Sequence, residues 1–377
     1  MANPSGRLPV TVVTGFLGAG KTTLLRHLLL HSGQRLAVLV NEFGEVGIDG
    51  ALLRSCGFCP DDEVESRLVE LANGCLCCTV QEDFLPTMER LLERADKLDG
   101  IVVETSGLAL PEPLIAALHW PEIRTRIRLH GVVAMVDGEA LTAGSVVADP
   151  AALEAQRLAD PSLDHATAID ALFAEQLEAA DLVLMSRADC LASEAMEAVH
   201  QRLKPLLRPG AVVLPVARGN VDPELVLGLE RRASNDRSDD HEGHHDAHAH
   251  HEHDHHDHEH HDHEHHDHSH VAIEALALDL PGAFGRQALE QQLAQLLRQS
   301  AVIRLKGRLW LPGKARPLQI QAVGPRLECW FDAGGAAPTN TATHRAGLEL
   351  VVLGFQLDQG AIEASLQQAN QLNTRAA

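Results

Sequence analysis

The stretch Gly15-Phe-Leu-Gly-Ala-Gly20-Lys21-Thr22 decides the fold. It meets the pattern G-x-x-x-x-G-K-[ST] in full, and its surroundings fit. The β-branched run Val10-Thr-Val-Val-Thr14 before it reads as a buried strand, and Thr22–His31 after it reads as a helix. Strand, glycine-rich turn and helix is the order in which a chain cradles a triphosphate. Gly15, Gly18 and Gly20 let backbone N–H groups turn toward phosphate oxygens, and the helix N-terminus adds partial positive charge. Lys21 is expected on the β- and γ-phosphates and Thr22 on Mg2+, with Thr23 beside them at the helix start.

The loop needs an acid near Mg2+. Ile101-Val-Val-Glu104-Thr-Ser-Gly107 supplies an apolar strand ending in a carboxylate. Glu104 is placed to hold Mg2+ directly or through water, and the Gly107 N–H to sense the γ-phosphate. Lys21, Thr22 and Glu104 are thus the candidate catalytic set. No residue reads as a hydrolytic base, so GTP conversion to GDP and phosphate is expected to be slow and stimulated by metal or partner. The base is expected at Ser186-Arg187-Ala188-Asp189, after the run Asp181–Met185. GTP-binding proteins usually carry Asn-Lys-x-Asp there. Asp189 still accepts the two N–H groups of a guanine edge, Arg187 can stack on the base, and Ser186 lacks the amide of Asn.

Five of the seven cysteines fall between positions 56 and 78. With no secretory signal expected, a disulfide framework is not. Cys190 and Cys329, in apolar runs, suit small buried hydrophobes. Asn73-Gly-Cys75-Leu-Cys77-Cys78 does not, because three thiols follow a turn signal. In an extended segment Cys75 and Cys77 share a face while Cys78 points away, so a four-coordinate site needs further ligands. Glu42 and Glu45, in the usual place of a nucleotide-sensing switch segment, are candidates. The pair Cys56-Gly-Phe-Cys59 has the spacing of a second metal site and equally of a loop with two free thiols.

Together, Thr14–Thr23, Asn41-Glu-Phe-Gly-Glu45, Asn73–Val80 and Glu104-Thr-Ser-Gly-Leu-Ala-Leu-Pro111 resemble the CobW family of P-loop GTPases. The likeness covers nearly the whole chain. The Glu104–Pro111 version and the upstream cysteines are similar to the cobalamin-biosynthesis branch rather than to branches tied to zinc homeostasis or nitrile hydratase activation. The resemblance implies a metal-dependent GTPase acting as a metallochaperone. It implies Co2+ as cargo, with a cobaltochelatase subunit of aerobic cobalamin biosynthesis as acceptor. Cys77 and Glu45 would bind the metal, with Glu42 nearby. The alternatives are a Zn2+ chaperone, a His-rich metal buffer with a nucleotide-regulated site, and a signalling or assembly GTPase with structural zinc.

Residues 241–270 alternate histidine with Asp and Glu and hold 17 of the 24 histidines. Such a segment cannot bury a core, and its imidazoles would collect Zn, Ni, Co or Cu without selecting among them. Binding would weaken below roughly pH 6 as imidazoles protonate. The net charge of −22, with no Lys/Arg stripe, argues against nucleic acid as a partner. No run of eighteen apolar residues suggests a membrane span, and a cytoplasmic location is expected.

The fold class expected is α/β: a mostly parallel-sheet P-loop GTPase domain over 1–225, a His/acid-rich linker over 226–270, and a small α+β domain over 271–377. The last shows no catalytic constellation. Trp310, Trp330 and His344 read as core or surface residues, and the domain as one that docks on the GTPase or on a partner.

Overall fold

The structure, a computed structural model, describes residues 6–40, 68–70, 84–159, 168–228, 273–331 and 346–375. The first domain is a seven-stranded sheet, with β1 Leu8–Thr14, β2 Leu36–Val40, β3 Leu68–Glu70, β4 Gly100–Glu104, β5 Ile127–Asp137, β6 Leu182–Ser186 and β7 Val212–Pro215. Their order is β3-β2-β4-β1-β5-β6-β7, and every adjacent pair is parallel. Eight helices belong to the described part of this domain: α1 Lys21–His31, α2 Leu85–Leu92, α3 Pro111–Ala117, α4 Gly138–Thr142, α5 Pro150–Ala159, α6 Ile169–Ala179, α7 Ser193–Leu203 and α8 Pro223–Leu227.

Alternate strand residues face opposite layers, as a sheet covered on both sides requires. Val133, Met135, Leu182 and Leu184 face α1 and α8, whereas Ala134, Val136, Val183 and Met185 face α6 and α7. The motif-bearing elements form as expected. β3 and α3 to α5, together with α8, were not foreseen. β3 has three residues, too few for a periodic signal, and α3, α5 and α8 each begin at proline, which the missing N–H permits at a first helical turn.

The second domain is a five-stranded antiparallel sheet, order β11-β10-β9-β12-β8, with β8 Glu274–Pro281, β9 Val302–Trp310, β10 Leu318–Val323, β11 Arg326–Phe331 and β12 Gly347–Gly354. Helices α9 Arg286–Gln299 and α10 Gln359–Arg375 share one core with it. Trp310 is buried and donates to Glu349 at 3.0 Å, while His344 lies outside the described residues.

The two domains join at the N-terminal edge of the parallel sheet. Ile303 and Val323 enter the core formed around α1 and α8. The carboxylate of Asp181, fully buried just before β6, accepts from Val132 N at 2.8 Å and from Arg208 and Arg326. Arg128, at the start of β5, donates to Glu328 at 2.9 Å and Gln321 at 3.2 Å, and its guanidinium lies 4.5 Å from the Trp330 ring. It also donates to His130 Nδ1 at 3.3 Å, so the proton of the neutral imidazole sits on Nε2. That Nε2 and both terminal nitrogens of buried Arg304 have no acceptor among the described residues. Burial, with Arg304, Arg128 and Arg326 close by, holds His130 well below the usual imidazole range. Burial likewise lowers the Arg304 guanidinium to about 9. Docking of the second domain on the GTPase is therefore a direct contact within this chain.

Candidate functional site

Helix α1 starts where it does because Gly20, in the left-handed region, ends the phosphate loop and leaves the first-turn N–H groups of α1 pointing outward. Gly15 (φ 136°) runs so close to the Met135 carbonyl that a side chain would collide with it. Lys21 reaches back across the loop. Its Nζ donates to Gly15 O at 2.8 Å and Phe16 O at 3.3 Å, and lies 3.9 Å from Glu104 Oε1. Glu104 ends β4, 4% exposed, and aligns with Val13 on one side and Val40 on the other. The acid is therefore positioned by two parallel neighbours, one of which feeds the phosphate loop.

The loop after Glu104 is stitched to the phosphate loop. Thr105 N donates to Val13 O at 2.9 Å, and Thr105 Oγ1 donates to Thr14 Oγ1 at 2.9 Å. Gly107 packs against the phosphate loop so closely that a Cβ there would lie 2.9 Å from Leu17 N. Phe16 in turn stacks on Phe173 of α6, with centroids 5.8 Å apart.

A third loop arrives from β6. Ser186 Oγ donates to Val136 O at 3.1 Å, and its Cβ lies near Gly20. Arg187 takes a left-handed backbone (φ 57°), with its guanidinium 3.2 Å from Asp137 Oδ2 and 3.2 Å from Glu139 Oε2. Asp137, 1% exposed, also caps α4 through Ala140 N. Arg218, after β7, stands 3.6 Å from Asp189, and neighbouring Gly219 lies against Thr23. Thr23 is exposed and Thr22 half-buried.

The structure thus gathers Gly15, Gly18, Gly20, Lys21, Thr22, Thr23, Glu104, Gly107, Arg187 and Asp189 along the C-terminal sheet edge, where a parallel α/β sheet binds ligands. Cys75, Cys77, Cys78, Glu42, Glu45, Cys56 and Cys59 lie outside the described residues, as does the 241–270 tract. One expectation is corrected: Cys190 is exposed, on a short 3-10 turn beside Asp189 where the apolar run has ended. Cys329 is partly buried, and burial pushes its thiol up to about 12.

Sequence reading missed the Asp137–Arg187 pair, Arg218 and Gln176. Gln176 had a signal: it is a polar residue on the apolar face of α6, flanked by Leu172, Phe173 and Leu177.

Residues 9–214 match the family described as CobW/HypB/UreG, nucleotide-binding domain, and residues 273–370 match the cobalamin synthesis protein cobW C-terminal domain. The chain is 44% identical over 370 residues to the zinc chaperone CobW of Pseudomonas aeruginosa, covering 98% of this chain and 91% of that protein. It is 39% identical over 368 residues to the zinc chaperone CobW of a Sinorhizobium species, covering 96% and 97%. It is 29% identical over 373 residues to the zinc chaperone YjiA of Escherichia coli, covering 95% and 97%. Motif, geometry and similarity converge: the chain belongs to the CobW/HypB/UreG family of P-loop GTPases and joins that GTPase domain to a CobW-type C-terminal domain.

Proposed function

We propose that this chain is a GTP-hydrolysing metallochaperone whose nucleotide state sets its affinity for a transition-metal cargo. The observation that carries the reading is strand adjacency. Val40, at the end of β2, aligns with Glu70 at the end of β3 and with Glu104 at the end of β4. The segment bearing Glu42 and Glu45, the segment bearing Cys75, Cys77 and Cys78, and the acidic end of β4 therefore leave the same sheet edge from three neighbouring strands. A change at the γ-phosphate would thus act at the end of β4, next to β2 and next but one to β3, the strands from which the two metal-binding segments start.

Lys21 neutralises phosphate charge, Gly107 reads the γ-phosphate, and Asp189 with Arg187 takes the guanine base. Mg2+ fits the hard oxygen donors Thr22 and Glu104, the latter a buried carboxylate facing the phosphate-loop lysine. When bound it supplies positive charge to the phosphate oxygens. The metal cargo would sit on Cys77 and a second thiolate from Cys75 or Cys78, with Glu42 or Glu45 completing the set.

The similar proteins named above are zinc chaperones, which favours Zn2+ as cargo. A Co2+ reading, with a cobaltochelatase subunit as acceptor, rests on the likeness of Glu104–Pro111 to the cobalamin branch and on the description of the C-terminal domain match. Competition titration of Zn2+ and Co2+ discriminates, with 241–270 deleted, in Mg2+–GDP and in Mg2+ with a non-hydrolysable GTP analogue. Tighter binding in the GTP state, lost in Cys77→Ala, is the expected outcome, and the tighter ion names the cargo. Equal affinity in both states would leave a metal buffer or a structurally metallated GTPase. Among the described residues no helix is long and apolar enough to cross a membrane.

A further inference from the structure

Gln176 is 2% exposed on α6, one turn after the Phe173 that stacks on Phe16. Its carboxamide faces two backbone carbonyls, Gly107 O at 3.2 Å and Ala109 O at 3.0 Å. Carbonyl oxygens only accept, so the group facing them is the NH2, and both of its hydrogens are used. The other side of the same loop is tied to β1 through Thr105, and Ala109 N closes a turn onto Ser106 O at 3.1 Å. Gly107 is thereby held between α6 and the phosphate loop against which it packs. Leu108 of the loop also packs among Leu172, Phe173 and Leu177 of α6, and both hydrogen bonds to the loop carbonyls come from the one Gln176 side chain.

We propose that Gln176 is a positioning residue for GTP hydrolysis: by holding the Gly107 carbonyl it fixes the backbone at Gly107, whose N–H, on the other side of the same Cα, then meets the γ-phosphate. This rests on the reading of Gly107 as the γ-phosphate sensor. It assigns α6 a role in telling GTP from GDP, because a loop released from Gln176 loses a contact that only the triphosphate makes. GDP contacts, made by the phosphate loop and by Asp189, do not pass through Gln176.

The test uses the full chain with three substitutions. Gln176→Met keeps the volume and removes both donors. Gln176→Glu sets an acceptor against two acceptors. Gln176→Asn retains the amide on a shorter stem. For each, kcat and KM for GTP are measured with affinities for GDP and a non-hydrolysable GTP analogue, and a thermal melt reports folding. The expected result for Met and Glu is a loss on the order of tenfold in kcat and in analogue affinity, with GDP affinity unchanged within about twofold. Asn is expected between them and the native chain. The Glu variant carries its own signature: a buried carboxyl facing carbonyls holds its proton more tightly, and once protonated it donates one bond. Its kcat relative to the native chain should therefore rise as pH falls from about 8 to about 6. Equal weakening of GDP and analogue, or an unchanged kcat in a folded Met or Glu variant, would overturn the proposal. Gly107→Ala separates the two readings. If it leaves the preference for GTP over GDP intact, the sensor reading itself fails. If it abolishes that preference while Gln176→Met does not, only the assignment to Gln176 fails.

Discussion

The two edges of the parallel sheet solve opposite problems. At the C-terminal edge the chain presents backbone donors, glycines and a helix start, with Lys21 beside Glu104. At the N-terminal edge charge is hidden: Asp181 is fully buried, Arg304 and Arg128 nearly so, and the second domain closes over them. The first edge keeps its buried charges, Lys21, Glu104 and Asp137, beside glycine-rich loops, while the second accepts the desolvation of several arginines in return for a specific fit between domains. One strand spans both edges, since β6 begins at the Asp181 clamp and ends at the Ser186–Asp189 loop proposed above to take the base.

The comparison breaks most visibly at Asp181. Asp181→Ala leaves Arg208, Arg326 and the Val132 N–H without their shared acceptor. A loss of about 3–5 kcal/mol in urea unfolding is expected, with GTP turnover per folded molecule little changed. Lys21→Ala should do the reverse, lowering kcat/KM for GTP about 100- to 1,000-fold while the melting temperature barely moves. If the Lys21 variant also unfolds early, the two edges are not separable in the way described. Asp189→Asn places an amide donor against the guanine N–H groups. GTP affinity should fall about tenfold to a hundredfold, and preference should move toward a xanthine base, whose C2 carbonyl can accept from Asn. Competition binding of GTP and XTP measures it.

The smallest effect is in pH. The folded state holds His130 below the unfolded value of 6.5, so the unfolded chain takes up a proton first. Its contribution is complete above about pH 6.5 and is lost as pH falls from there toward the lower folded value, at a slope of at most about 1.4 kcal/mol per pH unit. His27 on α1, lowered by burial, adds in the same direction. His130→Gln should flatten the acid limb of stability measured by denaturant titration between about pH 5 and pH 7. An unchanged limb would assign the acid sensitivity elsewhere.

What could be read in advance was local. The phosphate loop spans eight consecutive residues, and its strand and helix follow at once, so glycine spacing and one lysine suffice to recognise it. The placement of Glu104, Gly107 and Asp189 beside that loop was legible for the same reason, as the end of β4 and the turns that follow β4 and β6. The α+β character of the second domain was legible as well, because the apolar periods of elements such as α9, β10 and β12 are regular.

What tertiary structure alone decided was which distant charges meet. Arg128 and Glu328 are 200 residues apart, Arg326 and Asp181 145, and Gln176 and Gly107 69. In sequence the charged ones look like solvated side chains, and Gln176 shows only that it lies on an apolar helix face, not what it faces. Composition and short-range spacing determine whether a segment can form a strand, a phosphate loop or a helix, because those depend on near neighbours. Whether an arginine is buried, an imidazole kept neutral or a glutamine turned onto the loop after Glu104 depends on what the fold brings against it, and no local pattern encodes that.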